Sequence, residues 1–140
     1  MQEISEIAHD LSFPKKEHLC LKRRFDVLLQ QGKSFFIYPF RVIYLITDQG
    51  FDGVPVQVAI SVKKKQFKHA VTRNLIKRRF RESWRLHKSE LNATMANKEK
   101  SIYILMVYGP GEVLSLSEID SRMPQIVNRL LEIINSANTP

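Results

Sequence analysis

The 140-residue chain has one cysteine, Cys20, so no disulfide can form within it. That suits a reducing compartment such as the cytosol. Long hydrophobic runs are missing as well. IYILMVY at 102–108 falls far below the roughly 20 apolar residues of a bilayer-spanning helix, and no membrane partner is expected. The acidic start MQEISEIAHDL lacks the cationic head of a secretory signal. Catalytic spacing is absent too. The 14 Asp and Glu are scattered without a D-x-D or E-x-x-H arrangement, and His9, His18, His69 and His87 stand apart. A self-sufficient protein nuclease needs a general base, a metal cluster or an activated nucleophile, and none is spelled out here. Gly32-Lys33-Ser34 looks like the end of a phosphate-binding loop, yet that motif's first glycine would fall on Val27. Cys20, alone on an apolar helix side, reads as core rather than nucleophile.

Acid is what the centre of the chain lacks. Residues 63–88, KKKQFKHAVTRNLIKRRFRESWRLHK, hold half of the 22 Lys and Arg but one acid, Glu82. From Ala70 the spacing predicts a helix. At about 100° per residue, Leu75, Ile76, Phe80 and Leu86 share one arc. Arg73, Asn74, Lys77, Arg78, Arg81 and Arg85 share the opposite arc, with Trp84 near the border. Cations on successive turns repel one another, and a polyanion lying along the face would relieve that. Guanidinium forks also match phosphate oxygens two at a time. A merely solvated face would carry acids at i,i+4 along its length, and beyond Glu82 these are missing. The net charge of +8 and a pI near 9.8 fit the same partner.

With 44% hydrophobic residues the chain can build one domain, read as 13–140 behind a tail over 1–12. Pro14 and Gly32 bracket a helix at about 15–31. Leu19, Phe25, Leu28 and Leu29 give it an apolar side; Lys15, Lys16, Lys22, Arg23 and Arg24 give it a cationic one. SFFIYPFRVIYLIT at 34–47 predicts strand with a break at Pro39. Asp48-Gln49-Gly50 and Asp52-Gly53 predict a turn, and VPVQVAISV at 54–62 the strand returning from it. The basic helix runs to about 88 or on toward Met95. NKEK at 97–100 predicts a loop, and IYILMVY a buried strand ended by Gly109-Pro110-Gly111. Ser115 or Ser117 caps a last helix to about 136. Ile119, Ile126, Leu130, Ile133 and Ile134 face inward, and Pro124 kinks this helix or resets its start. The order α-β-β-β-α-β-α predicts an α+β sandwich. Phe25, Phe36, Tyr38, Phe40 and Tyr44 cluster on the first helix and adjacent strand. Most read as core, but rings beside cations also hold single-stranded RNA, bases on rings and phosphates on Lys or Arg.

The order of the basic residues is more specific than their charge. Lys64-Lys65, Lys68, Ala70-Val71, Arg73-Asn74, Lys77-Arg78 and Arg81-Glu82 resemble the RNR signature of the bacterial ribonuclease P protein family. The match runs without a gap from Ala70 to Glu82. Where many members carry a glycine before Ala-Val, Phe67-Lys68-His69 stand here, so a differently shaped helix start is expected. The likeness covers about 13–136. It implies a two-layer sandwich similar to a domain of ribosomal protein S5, with a left-handed βαβ crossover around the basic helix against the usual rule. It further implies the accessory subunit of an endoribonuclease whose catalyst is RNA, maturing the 5′ end of tRNA in the bacterial cytoplasm. The implied partners are that catalytic RNA and precursor tRNA, not DNA, with Mg²⁺ held mainly by the RNA. By this resemblance Lys64, Lys65, Lys68, Arg73, Asn74, Lys77, Arg78, Arg81 and Arg85 bind the catalytic RNA. A cleft between the first helix and the sheet would hold the single-stranded 5′ leader. Phe25 matches the family's aromatic by position, with Lys22 near it; Phe40 and Tyr44 are added by alternation along one strand face. The competing expectation is a general RNA-binding or ribosome-associated protein with no part in tRNA cleavage.

Overall fold

A computed structural model of the chain describes residues 12–48 and 54–137. The expected tail before Ser12 and the expected turn at 49–53 lie outside the described residues. Pro14 opens a single 3-10 turn, Lys15–Glu17, rather than a helix. The next residues are extended. His18 bridges Val58, and the Leu19 N–H donates to the Val58 carbonyl at 3.0 Å. Strand-edge pairing thus takes peptide groups that the sequence assigned to a helix. Helix α1 begins only at Lys22 and ends at Gln31 (Lys22–Gln31). Two expectations for its faces are reversed. Leu29 is 61% exposed, while Arg24 is buried, donating to Gln57 Oε1 at 2.5 Å with its guanidinium 5.7 Å from the Tyr103 ring. Cys20, expected in the core, is exposed. Gly32 then stops α1 in extended backbone, and closeness explains the glycine. A Cβ there would collide with the Leu28 carbonyl oxygen and lie 3.0 Å from that of Tyr44.

The remaining elements are β1 (Lys33–Ile37), β2 (Phe40–Asp48), β3 (Val56–Ser61), α2 (Ala70–His87), α3 (Ser89–Asn97), β4 (Lys100–Tyr108) and α4 (Leu116–Ala137). Strands β1 and β2 form a hairpin across the cis Tyr38–Pro39 peptide. The sheet order is β1-β2-β4-β3. β3 does not return beside β2; it lies parallel to β4, reached by a crossover through α2 and α3. IYILMVY takes the centre because both of its faces are apolar, which only a strand covered on two sides can use. On one face Ile102, Ile104, Met106 and Tyr108 join Phe40, Val42, Val56 and Val58 beneath α2, α3 and α4. On the other, Tyr103 and Leu105 meet Leu19, Phe25 and Leu28 of the α1 side. The α+β sandwich is as expected, with α1 alone on the second face.

Helix α2 buries Ile76, Phe80, Ser83 and Trp84, whereas Leu86, expected inside, is exposed. It stops before Lys88 instead of running toward Met95. The Lys88 ammonium is buried and 2.6 Å from Glu17 of the 3-10 turn, and α3 starts afresh at Ser89. Ser115 rather than Ser117 caps α4. Its Oγ accepts the Glu118 N–H at 3.1 Å, while the Ser115 N–H donates to Glu118 Oε1 at 3.2 Å, a reciprocal capping box. The helix continues through Pro124, and Met123, Val127 and Leu131 join its buried side.

Candidate nucleic-acid interface

Helix α2 carries its cations in two kinds of setting. Some are occupied by the protein itself. Arg73 Nη1 donates to the carbonyls of Phe67 at 2.8 Å and Lys68 at 2.9 Å. Phe67 is buried, its ring 6.0 Å from that of Tyr108. The helix start that lacks the family's glycine is therefore clamped by a core aromatic and a single arginine nitrogen, Arg73 Nη1. Arg79 Nη1 donates to the Leu114 carbonyl at 2.7 Å. Arg85 lies 2.5 Å from Glu82 Oε1. The hydrogen bond from Arg85 holds the Glu82 carboxyl below the usual carboxylate range and raises Arg85 in turn.

The others are unoccupied. Asn74, Arg78 and Arg81 are exposed and Lys77 half-exposed, and none of their side chains has a hydrogen bond or ion pair among the described residues. Spaced at i, i+3, i+4 and i+7, they form one stripe about 10 Å long. Lys64, Lys65 and Lys68 extend it as exposed residues in the turn ahead of α2. That turn is anchored by Gln66, whose Nε2 donates to the Gly109 carbonyl at 3.2 Å. A Cβ on Gly109 would lie 3.4 Å from the Pro39 carbonyl and 3.8 Å from the Phe36 ring. The lysine turn therefore sits next to the β1–β2 hairpin.

The expected leader-binding aromatics are redistributed. Phe40 is wholly buried, 5.5 Å from the Phe80 ring and 6.0 Å from the Tyr108 ring, and cannot meet a nucleotide. Tyr44 is half-buried on that same face, 5.9 Å from Phe35. Phe25 packs on the opposite face with Ile43 and Leu45, and Lys22 is exposed at the head of α1. Side chains alternate faces along a strand, so the β2 residue on the Phe25 side near the hairpin is Arg41. Its cross-strand partner is Phe36. A row Phe36–Arg41–Val107–Ser61 runs across the four strands on the α1 face. Phe36 is 59% exposed and Arg41 is exposed. Phe36 was expected only as one of the clustered aromatics, and Arg41 was not named. The signal was Arg41 itself, a charge inside an apolar strand, which marks the wet face.

Among the described residues no three His, Cys, Asp or Glu side chains gather to hold a metal ion, and no helix is long and apolar enough to cross a membrane.

A family model described as Ribonuclease P matches residues 13–130. The ribonuclease P protein component of Porphyromonas gingivalis is 35% identical over 94 residues, which cover 67% of this chain and 66% of that protein, just under two thirds of its length. That of Dictyoglomus turgidum is 36% identical over 100 residues, covering 71% of this chain and 74% of that protein. In fold, the RNase P protein from Thermotoga maritima aligns with a TM-score of 0.62 at 24% identity, over 81% of this chain and 96% of that one.

Proposed function

The chain belongs to the ribonuclease P protein family, and on that premise we propose that it serves as the protein subunit of a bacterial ribonuclease P ribonucleoprotein in the cytoplasm. The observation that carries the reading is the unoccupied cationic stripe, continuous through the lysine turn with the Phe36–Arg41 surface. Asn74, Lys77, Arg78 and Arg81, with Lys64, Lys65 and Lys68, bind phosphates of a catalytic RNA. Arg73 and Arg85 support that surface with whatever donors their own bonds leave over. Close phosphates brought under neutralising cations need fewer metal ions to fold, so the protein lowers the Mg²⁺ demand of the RNA. On this reading the ion is held mainly by the RNA. Bond cleavage in precursor tRNA is likewise assigned to the RNA.

Phe25, Phe36 and Arg41, with Lys22, hold the single-stranded 5′ leader. Rings accept stacked bases and the guanidinium takes a phosphate. Mature tRNA has no leader, so this surface favours precursor over product. The test is precursor-tRNA cleavage by a bacterial ribonuclease P RNA at low Mg²⁺, with and without the protein. Cleavage at the mature 5′ end that requires both is the expected result. Cleavage by the protein alone overturns the assignment to RNA, and RNA binding without stimulation makes it a general RNA-binding protein.

A further inference from the structure

The N-terminal segment follows the outer edge of β3 only briefly. The Pro55 carbonyl accepts the Ile102 N–H of β4 at 2.8 Å, and the Val58 carbonyl accepts the Leu19 N–H. Successive peptide groups of a strand point to opposite edges. Odd-numbered residues of β3 therefore face β4, and Val58 and Ile60 face outward. At Val58 the segment covers that edge. By Ile60 it has turned away toward α1, leaving an N–H and a C=O side by side on that edge with no hydrogen-bond partner among the described residues. A pocket of about 160 Å³ opens there, lined among others by Phe13, His18, Cys20, Ala59, Ile60 and Arg81. Its ring wall is built: Phe13 and His18 stack with centroids 4.0 Å apart at 22°, and His18 Nε2 is 3.2 Å from the Phe13 carbonyl oxygen. Its cation, Arg81, is exposed and belongs to the unoccupied stripe of α2.

Resting on the RNA-binding reading above, we propose that this pocket takes a single unstacked nucleobase of the RNA strand lying along α2. The base rests against the Phe13–His18 stack, its polar edge meets the open peptide edge at Ile60, and its phosphate meets Arg81. Flat walls, an adjacent donor and acceptor, and one cation suit a nucleotide better than an aliphatic or acidic ligand. The site is separate from the Phe36–Arg41 surface. It lies at the β3 margin, whereas Phe36 is on β1 at the other margin of the sheet.

Binding of a transcribed bacterial ribonuclease P RNA is measured across a salt series for the full chain, His18→Ala, His18→Phe and Arg81→Ala. His18→Ala should weaken binding about 5- to 100-fold with the salt slope unchanged, because stacking releases no counterions. His18→Phe keeps the ring and should restore most of the affinity. Arg81→Ala should make the slope shallower by roughly one unit. Cys20 is the chain's one cysteine, and a photoreactive group attached to it should crosslink to one unpaired nucleotide of that RNA. The pocket assignment falls if His18→Ala leaves affinity unchanged, if His18→Phe loses as much as His18→Ala, or if crosslinks scatter along the RNA. These results are distinct from failure of the RNA-binding reading, in which the unmodified protein binds weakly and without salt dependence; that result overturns both.

Discussion

Arg73 and Arg78 belong to one signature and hold different jobs in the fold. Arg78 is exposed and unoccupied, so Arg78→Ala should make the salt slope of RNA binding shallower by roughly 0.7–0.9 and leave the urea midpoint where it was. Arg73 holds the Phe67 and Lys68 carbonyls, so Arg73→Ala should also lower stability by about 1–3 kcal/mol. Identical profiles for the two variants would refute the distinction. The aromatics divide the same way. Phe40→Ala should cost about 3–5 kcal/mol of stability through loss of core. Phe36→Ala should leave stability within about 0.5 kcal/mol and lower the preference for precursor over mature tRNA, read by competition binding. A destabilised Phe36→Ala would return that residue to the core. The cations of α2 were legible because a helix displays charge at a fixed period. Which of them the protein keeps for itself was not, because the carbonyls of Phe67 and Leu114 reach them only after folding. Phe40 was misplaced for a narrower reason. The alternation was sound, but the sequence did not say which face of β2 carried α1.

At the scale of elements, the Glu17–Lys88 pair ties the 3-10 turn to the α2–α3 junction. Glu17→Ala would strand a buried ammonium and should cost about 3–5 kcal/mol. Glu17→Leu combined with Lys88→Met should recover most of that in urea unfolding. A double variant as unstable as the single one would mean that the pair's contribution is not ionic. The loop from β4 to α4 is tied by Tyr108, whose hydroxyl donates to the Glu112 carbonyl at 2.6 Å and accepts the Leu114 N–H at 3.0 Å. Burial pushes that phenol above its ordinary 10.0. The folded state therefore holds the proton more tightly. Its contribution is complete below about pH 10 and is lost as pH rises through the folded value. Urea midpoints at neutral pH and above pH ~10 should fall further for the wild-type chain than for Tyr108→Phe, and parallel falls would remove Tyr108 as the cause. The helices and strands themselves were mostly readable, and the start of α4 was narrowed to Ser115 or Ser117, between which the Ser115–Glu118 bonds decide. The first helix was drawn too long because Leu19 fits its period, yet β3, distant in sequence, claims Leu19's backbone.

As a whole the molecule carries +8, concentrated where α2 cannot pair its own cations. Self-repulsion is screened by salt, so the free protein should unfold at higher urea as sodium chloride is raised, even while its RNA affinity drops. A midpoint that falls with salt would show that attractive ion pairs dominate instead. The class of the fold could be read from its element order. The parallel β3–β4 pairing was implied only by the family likeness, with its crossover around the basic helix, because partners joined through two intervening helices leave no local pattern. That pairing has a consequence in time. β2 and β3 share no ladder; each finds its inner neighbour only in residues 100–108. A ribosome delivers residues in order, so the keystone of the sheet is made last of the four strands. Until it emerges, α2 lacks the strand that joins β2 to β3 beneath it, and the nascent chain offers its most cationic segment to surrounding RNA before the ground beneath that segment is complete.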